Sequence, residues 1–309
     1  MVALLYAGNF ICSLFNIWSN QKYSRRSKGS SDFFVYALIT GIMAMGVFYV
    51  TSGFNIVLNT RTCIYGVVYA LVIFINYFFG LAIYKHMGIA ETTFINSGLS
   101  LVLMTLSGMF FFGEQITLML GIQILLVLCT VLAIFLGNKK TAKSKGVTKI
   151  GILMCLGRVV LGVICGIIAK AFAEDTEVTD QNSFFFITNV FIVAFALISV
   201  IITNKFSPKE IGKKLVQISW LGYLLIAVNV LASNMHSLLQ IEIFRISDFI
   251  LYTPLTGALG ILAGEIIAVF IAKEKPRILA TILAMSSLLV VLLPNIIEAV
   301  LELYQRLML

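Results

Sequence analysis

The sequence predicts an all-α polytopic membrane protein whose ten transmembrane helices form a 5+5 inverted repeat. Three observations support this fold class. Of the 309 residues, 60% are hydrophobic and 12% are charged, which excludes an ordinary soluble domain. The apolar residues are gathered into ten long runs that short polar connections separate. Landmarks of the first five runs also return, in the same order, in the second five.

Each apolar run is long enough to cross a bilayer as a helix. An α-helix rises about 1.5 Å per residue and the hydrocarbon core is about 30 Å thick, so about 20 apolar residues suffice. The first run has no basic segment before it and no cleavage site, which predicts a retained helix rather than a signal peptide. The predicted spans are Val2–Ser19, Phe33–Gly53, Cys63–Tyr84, Thr92–Phe112, Ile116–Gly137, Ile150–Phe172, Ser183–Thr203, Leu215–Leu239, Ile246–Ala272 and Ile278–Ile297.

The fourth and fifth spans are predicted to form a tight hairpin, because Gly113–Glu114 is the only polar break between them. The same shape returns around Lys273–Glu274–Lys275, between the ninth and tenth spans. Glu114 and Glu274 lie 160 residues apart, about half the chain. This recurrence predicts a duplicated unit.

A basic connection divides the chain into two halves. Residues 138–149 contain five lysines and join the first five-helix repeat, residues 1–137, to the second, residues 150–309. Because each half has an odd number of helices, the halves must lie in opposite orientations in the membrane. Inverted repeats of this kind are typical of secondary transporters.

Short segments align the two halves. Leu5–Asn9 matches Met154–Arg158 at an offset of 149, which makes Asn9 the counterpart of Arg158. Ala90–Glu91 matches Ser247–Asp248 at an offset of 157, which makes Asn76 the counterpart of Ser233. The identities are few, so the predicted repeat rests on the order of these landmarks.

Lysine and arginine are concentrated on one side of the predicted membrane protein. The connections after the first, third, fifth, seventh and ninth spans carry 17 of the 22 basic residues, whereas the other side holds Arg61, Arg245, Arg306 and Lys170. The positive-inside rule therefore predicts that both termini lie outside the cytoplasm. The net charge of +8 is attributed to loops that face anionic lipid, and no nucleic-acid partner is expected.

Three short motifs carry a resemblance to a known family. Ala3–Phe10 reads A-L-L-Y-A-G-N-F, Phe111–Thr117 reads F-F-G-E-Q-I-T, and Lys273–Glu274–Lys275 is a degraded copy of the second motif. They resemble the EamA-type transporters of the drug/metabolite transporter superfamily, in which the first helix usually reads A-L-x-W-G-x-N-F and the hairpin l-l-G-E-x-l-t. Leu101 and Ile261 stand where that family commonly has a proline before each Glu, which indicates a divergent branch.

The resemblance implies a function and an arrangement of helices. It implies movement of a small solute by alternating access, with helices 1–4 and 6–9 around a central cavity and helices 5 and 10 at the periphery. It also implies termini in the cytoplasm, opposite to the orientation that the distribution of lysine and arginine predicts. It names no substrate.

Two charged residues lie within predicted spans. Arg158 is about eight residues inside the sixth span, where a charge is costly and usually faces a partner or a wet cavity. It either contacts the substrate or a coupling ion, or forms a structural ion pair, or extends to the nearby interface. Glu265 in the ninth span either carries a proton or neutralises an arginine. Both lie roughly 10–12 Å from the cytoplasmic side, so they are predicted to pair with each other.

Polar residues of the eighth span share one helix face. Asn229, Ser233, His236, Ser237 and Gln240 are spaced at i, i+4, i+7, i+8 and i+11. In lipid such a face points inward, where it forms either the wall of a solvated cavity or hydrogen bonds between helices. His236 would titrate near neutral pH in water, but a lone histidine belongs more often to a hydrogen-bonded network than to a proton relay.

Asparagines extend the candidate site to other spans. Asn9 and Asn16 lie on the first helix and Asn76 on the third, so all three are candidates to line the cavity. Glu114, in contrast, lies in a turn at the membrane surface, and we interpret it as a cap of the hairpin helix.

The sequence favours a transporter of a small polar or amphipathic metabolite or drug in the plasma membrane, with protons or another ion as candidates for coupling. A membrane enzyme acting on lipid-linked substrates and a transport-inactive scaffold are the alternatives. No H-E-x-x-H, G-x-S-x-G or paired Asp motif occurs, and the five cysteines are scattered, so no catalytic residues, metal site or cofactor are predicted. The oligomeric state is left open.

Overall fold

The computed structural model is built of helices packed side by side. It describes residues 2–26, 30–137, 148–178, 180–203, 218–247 and 249–271, together with 273, 278–279, 281–286 and 289–290. The described part of the chain contains no strand. The predicted all-α class is therefore confirmed.

The helices follow one another with short connections. They are α1 Val2–Arg26, α2 Ser30–Thr51, α3 Thr60–His86, α4 Ile89–Phe112, α5 Leu118–Gly137, α6 Lys149–Glu174, α7 Gln181–Thr203, α8 Trp220–Ile246 and α9 Phe249–Ile266, which continues as a π-helix over Ile267–Ile271. Residues 281–286 are also helical. Most of the predicted tenth span and residues 138–147 of the basic connection lie outside the described residues.

Six of the described helices, α2, α3, α4, α6, α7 and α8, have the length and hydropathy needed to cross a membrane. Shorter apolar stretches lie in α5, over Leu120–Thr130, and in α9, over Leu255–Ile271. The chain is thus a multi-pass membrane protein. Helix α1 is 25 residues long but less apolar than the others, since buried polar residues such as Asn9 and Gln21 lie along it.

Several helices extend beyond the predicted spans. The first runs on to Arg26, seven residues past Ser19, and the eighth covers Trp220–Ile246 where Leu215–Leu239 was predicted. Hydropathy reports the part of a helix that suits lipid, whereas backbone hydrogen bonding continues into polar turns at the interface. The eighth helix begins where the Ser219 hydroxyl accepts a hydrogen bond from the Gly222 N–H at 3.2 Å.

The predicted hairpin at Gly113–Glu114 separates α4 from α5. Gly113 has a φ of 66°, a left-handed conformation that glycine adopts without the steric cost of a Cβ. The Glu114 N–H donates to the Gly108 carbonyl at 3.2 Å, which satisfies one of the last carbonyls of α4. The sequence signal of this turn therefore corresponds to a glycine-terminated helix.

Pairs of helices drawn from the two halves form the bundle. Helix α1 packs on α8, α2 on α7, α3 on α6 and α4 on α9, while α5 packs on the outside of α4. Helices α4 and α9 are antiparallel, because Gly264 lies against Thr93 and the Thr253 hydroxyl lies 3.7 Å from the Met104 sulfur. Ser97 contacts Gly260 near the middle of the same pair.

Close approaches through glycine also pair α1 with α8 and α6 with α3. Gly8 packs against the side chain of Leu239, and Gly157 packs against the ring of Phe79. A Cβ at these two glycines would lie 3.1 Å and 3.3 Å from its neighbour, so each glycine lets its helix approach closely. The bundle is thus held by contacts between helices of different halves.

Candidate functional site: a central polar cavity

A cavity of about 270 Å³ lies between helices of both halves. Side chains of α1, α2, α3, α6, α7 and α8 line it, so neither half forms it alone. The polar residues in its wall are Asn16, Asn20, Tyr69, Asn76, Tyr77, Arg158, Thr188, Asn189, Ser233, Asn234, His236, Ser237 and Gln240. Within the part of the chain that the structure describes, no Asp, Glu or Lys lines the cavity.

The structure brings together five of the eight residues that the sequence selected. Asn16, Asn76, Arg158, Ser233 and His236 all line the cavity. Asn76 lies on α3, and Ser233 and His236 lie on α8. The spacing of polar residues along these helices predicted that they face inward. The other three selected residues, discussed below, lie elsewhere.

Arg158 supplies the cavity's charge. Its guanidinium lies over Gly80 of α3, where the Cζ atom is 3.6 Å from the position that a Cβ of residue 80 would take. A glycine at this position lets the planar group lie flat against the neighbouring helix. Within the described part of the chain, Arg158 makes no ion pair within 4.0 Å and no hydrogen bond.

The predicted ion pair between Arg158 and Glu265 is wrong. Glu265 is 7% exposed and lies in α9, which packs on α4 and α1, and it does not line the cavity. Helix α4 packs on both α6 and α9, which do not pack extensively on each other. The prediction rested on the equal depth of the two residues in the membrane. Depth does not indicate the direction in which each side chain points.

Asn9 and Asn229 are buried beside the cavity rather than in its wall. The Asn229 amide donates to the Ser19 hydroxyl at 3.2 Å and thereby joins α8 to α1. Asn9 is 2% exposed, and its backbone lies next to the imidazole of His236. The polar face of α8 thus combines both readings that the sequence left open, with one hydrogen bond between helices and four residues in the cavity wall.

A chain of hydrogen bonds fixes the cavity wall on α1. The Tyr36 hydroxyl donates to the Asn20 side-chain oxygen at 2.8 Å, and the Asn20 amide donates to the Asn16 side-chain oxygen at 2.6 Å. The Asn16 oxygen is therefore occupied, while its amide nitrogen is left to act as a donor. Sequence reasoning missed Asn20, because only a tertiary contact with α2 makes it part of the site.

Four polar atoms in the cavity wall have no hydrogen-bond partner in the part of the chain that the structure describes. They are the Asn76 Oδ1, Thr188 Oγ1, Asn234 Nδ2 and His236 Nδ1 atoms. Buried polar atoms are almost always paired, with protein groups or with water. These four atoms belong to residues that line the cavity, but the atoms themselves are shielded from it.

The helix boundaries indicate a second register between the two halves. Helix α8 begins and ends 160 residues after α3, at residues 60 and 220 and at residues 86 and 246. For a repeat with this offset His236 would be the counterpart of Asn76, whereas the offset of 157 pairs Asn76 with Ser233. The offset of 160 is also the one between Glu114 and Glu274.

Aromatic rings close one end of the cavity. Phe48 stacks on Phe185 with ring centroids 5.1 Å apart, and Phe185 and Tyr69 both lie against Phe184. Phe172 stacks on Phe184 at 4.3 Å. We call these five buried residues the aromatic layer. Tyr69 is eleven residues from Gly80 along α3, so the layer lies roughly 16 Å from the guanidinium level.

Polar contacts tie the two halves together beyond the aromatic layer. Arg61 forms ion pairs with Asp175 at 3.3 Å and Glu177 at 3.0 Å, and the Asn59 amide donates to the Glu177 carbonyl at 3.1 Å. The hydrogen bond from the Glu177 N–H, together with Arg61, lowers the pKa of the Asp175 carboxyl. Charged residues at this end of the bundle therefore link the two halves.

Among the described residues, no group of three His, Cys, Asp or Glu side chains is arranged to hold a metal ion. The cavity wall instead offers one cation, several amides, hydroxyls and aromatic rings. This set of groups suits recognition of a small polar molecule by hydrogen bonds and charge.

Comparison with known proteins identifies the fold but not a family. No family model matches the sequence, and no curated protein matches it either. A protein known from its crystal structure shares the fold, with a TM-score of 0.66 and 15% sequence identity over 94% of this chain and 96% of the other. At that identity the similarity is one of fold alone.

Proposed function

We propose that this protein is a secondary transporter that moves a small solute across the plasma membrane by alternating access. The observation that carries the proposal is the cavity between the two halves, with Arg158 and many polar side chains in its wall. Arg158 is nine residues from the start of α6, or roughly 14 Å along the helix. A charge at membrane depth costs about 2.5–3.5 kcal/mol on insertion scales, and such residues usually mark a substrate or ion pathway.

The proposed architecture is a 5+5 inverted repeat, which reciprocal contacts support. Gly8 touches Leu239, and Gly157 touches Phe79. With offsets of 149 for the first helices and 160 for the third, Gly8 is equivalent to Gly157 and Phe79 to Leu239. Exchanging each residue for its counterpart in the other half therefore turns the first contact into the second. A twofold axis that relates the halves requires this.

A second reciprocal pair favours an axis in the membrane plane. Thr93 contacts Gly264, and Met104 contacts Thr253. An offset of 160 makes Thr93 equivalent to Thr253 and Met104 to Gly264, so these contacts also exchange. Because α4 and α9 are antiparallel, the exchange reverses the helix direction, and the axis must lie perpendicular to the helices. Inverted repeats of this kind underlie alternating access in many transporters.

The two halves also give the protein two ends that can open in turn. At one end the ion pairs of Arg61 with Asp175 and Glu177 join the loops of different halves. At the other end the Thr148 hydroxyl lies 3.5 Å from the His86 carbonyl, again between the halves. We propose that rocking of one half against the other exposes the cavity first to one face of the membrane and then to the other.

The resemblance of the hairpin and first-helix motifs to EamA-type transporters agrees with this proposal. The distribution of basic residues favours both termini outside the cytoplasm, and the family pattern favours the opposite. Labelling single cysteines placed in the loop around Glu177 with an impermeant maleimide on intact cells distinguishes these orientations. Labelling without permeabilisation supports outside termini, because that loop lies at the same end of the bundle as the start of α1.

Uptake into proteoliposomes tests the transport proposal. Purified protein is reconstituted and presented with labelled amino acids, organic acids, sugars and organic cations, with and without a pH gradient. We expect saturable uptake of at least one solute, reduced at least tenfold in Arg158→Gln. Arg245→Gln is the matched control, because Arg245 pairs with Glu242 on the surface and lines no part of the cavity. Folded protein without uptake of any solute would contradict transport and favour a transport-inactive scaffold.

A further inference from the structure

We propose that the cavity binds a small organic monoanion whose carboxylate pairs with Arg158. The inference deepens the proposed function and rests on it only in taking the bound solute to be the transported one. Three features of the cavity carry it: the charge of its wall, the kinds of polar group around that charge, and its size.

The cavity wall carries a positive charge without a described negative charge to balance it. Arg158 is a permanent cation, and none of the described residues that line the cavity is an Asp or a Glu. Glu265, the carboxylate that the sequence offered as its partner, lies in α9 and does not line the cavity. The planar guanidinium presents parallel N–H donors that match the two oxygens of a carboxylate. An anionic ligand therefore supplies the counter-charge that the described part of the chain does not.

The single cation limits the charge of the ligand. A phosphate monoester carries about −1.5 to −2 at neutral pH, and one arginine would leave much of that charge buried without a partner, which is costly. A zwitterionic amino acid would place an ammonium group where no carboxylate is available to receive it. A carboxylate on an otherwise neutral molecule leaves the loaded site without net charge.

The rest of the wall fits a neutral body with polar substituents. The side chains of Asn16, Asn76 and Asn234 line the cavity and bring amide groups to it. At the other end, Phe48 and Phe185 present aromatic surface. Hydroxy, oxo and aromatic monocarboxylates combine these properties.

The volume sets an upper size for the ligand. The cavity measures about 270 Å³, just below the roughly 300–1,000 Å³ of pockets that hold drug-sized molecules. A molecule of metabolite size fits entirely within this volume, whereas a lipid-linked or nucleotide-linked substrate would have to extend out of it.

Paired acids and amides test the proposal directly. Binding to purified wild-type protein in nanodiscs is measured by thermal shift and equilibrium dialysis for 2-oxo, 2-hydroxy and aromatic monocarboxylates, each beside its neutral primary amide. We expect at least one acid to bind at least tenfold more tightly than its amide. In Arg158→Gln the affinity for the acid should fall at least tenfold, while the affinity for the amide should stay within twofold of the wild-type value. Arg245→Gln should leave both affinities unchanged.

A second variant keeps the test decisive if Arg158→Gln does not fold. Arg158→Lys retains the positive charge but not the planar guanidinium. The affinity for the acid should therefore fall several-fold, and the acid should still bind better than its amide. The proposal is overturned if no acid in the set binds, if amides bind as tightly as acids, or if the Lys and Gln variants bind acids as wild type does.

Binding and uptake together separate this inference from the transport proposal. An acid that binds through Arg158 but is never taken up by proteoliposomes leaves the anion site in place and contradicts transport. A neutral or cationic solute that is transported equally well by Arg158→Gln supports transport and refutes the anion site.

Discussion

Replacing Gly264 by alanine is expected to destabilise the protein, because α9 passes too close to α4 to leave room for a methyl group. A Cβ at residue 264 would lie 2.6 Å from the Cβ, Cγ2 and Oγ1 atoms of Thr93. Non-bonded carbon atoms prefer a separation of about 3.5–4.0 Å, so the two helices must move apart by about 1 Å. Overpacking of this kind typically costs about 1–3 kcal/mol.

The assay is thermal unfolding in detergent, followed by a thiol-reactive fluorophore that labels cysteines as they become exposed. Cys155 and Cys165 are buried in the folded protein, so labelling of these thiols measures the loss of the folded structure. For chains of roughly 150–250 residues, 1 kcal/mol changes the Tm by about 2–4 °C, so Gly264→Ala should lower it by about 2–12 °C. Gly46→Ala is the matched control, because a Cβ there meets nothing within 4 Å. It should not lower the Tm.

A double variant tests the stated cause. In Thr93→Gly with Gly264→Ala, the atoms that clash are gone, so the pair should be more stable than the sum of the two single effects by about 1 kcal/mol or more. Strictly additive effects, or a Gly264→Ala variant as stable as wild type, would refute the argument that this contact limits the approach of α4 and α9.

Three further perturbations follow from other contacts of the structure. Lys170→Met should cost about 1–3 kcal/mol of stability, since it removes the buried donor to the last carbonyls of α8, and thermal unfolding measures this loss. Asn229→Leu should cost about 0.6–2 kcal/mol through the lost bond to Ser19 and leave solute affinity unchanged, as parallel unfolding and binding curves would show. The folded-state pKa of Asp175 is lowered, so its contribution to stability is present above its ordinary value near 3.8 and is lost as the pH falls through the lowered value. In Arg61→Gln this loss of stability on acidification should occur at a higher pH, as measurements of unfolding at a series of pH values would show.

The lengths and types of the helices could be predicted because the bilayer imposes them on the sequence. A run such as Cys63–Tyr84 must be a helix in lipid, since no other element satisfies its backbone, and α3 covers it. Helix ends were predicted less well. Gln240, Glu242 and Arg245 interrupt the hydropathy of the eighth helix, yet the helix continues to Ile246, because its last turns no longer need to be apolar.

The candidate site was predictable only where one helix determines it. The spacing of Ser233 and His236 places them on one face whatever their neighbours are, and both line the cavity. The partner of Arg158 depended on which helices touch, and there the prediction failed because α6 and α9 do not pack extensively on each other. Asn20 and Thr188 gave no signal in the sequence, since nothing in it distinguishes an inward polar side chain from one that bonds its own helix.

The isolation of Arg158 has an electrical consequence. In the proposed carrier, a site with a fixed cation would be charged when it is empty and neutral when it holds a monoanion, so the membrane voltage would act on the return of the empty protein and not on the loaded step. Moving one elementary charge across 100 mV is worth about 2.3 kcal/mol. An inside-negative potential would therefore hold the vacant site toward the cytoplasm, and the turnover rate of such a carrier would vary with voltage even when the concentration of its solute does not.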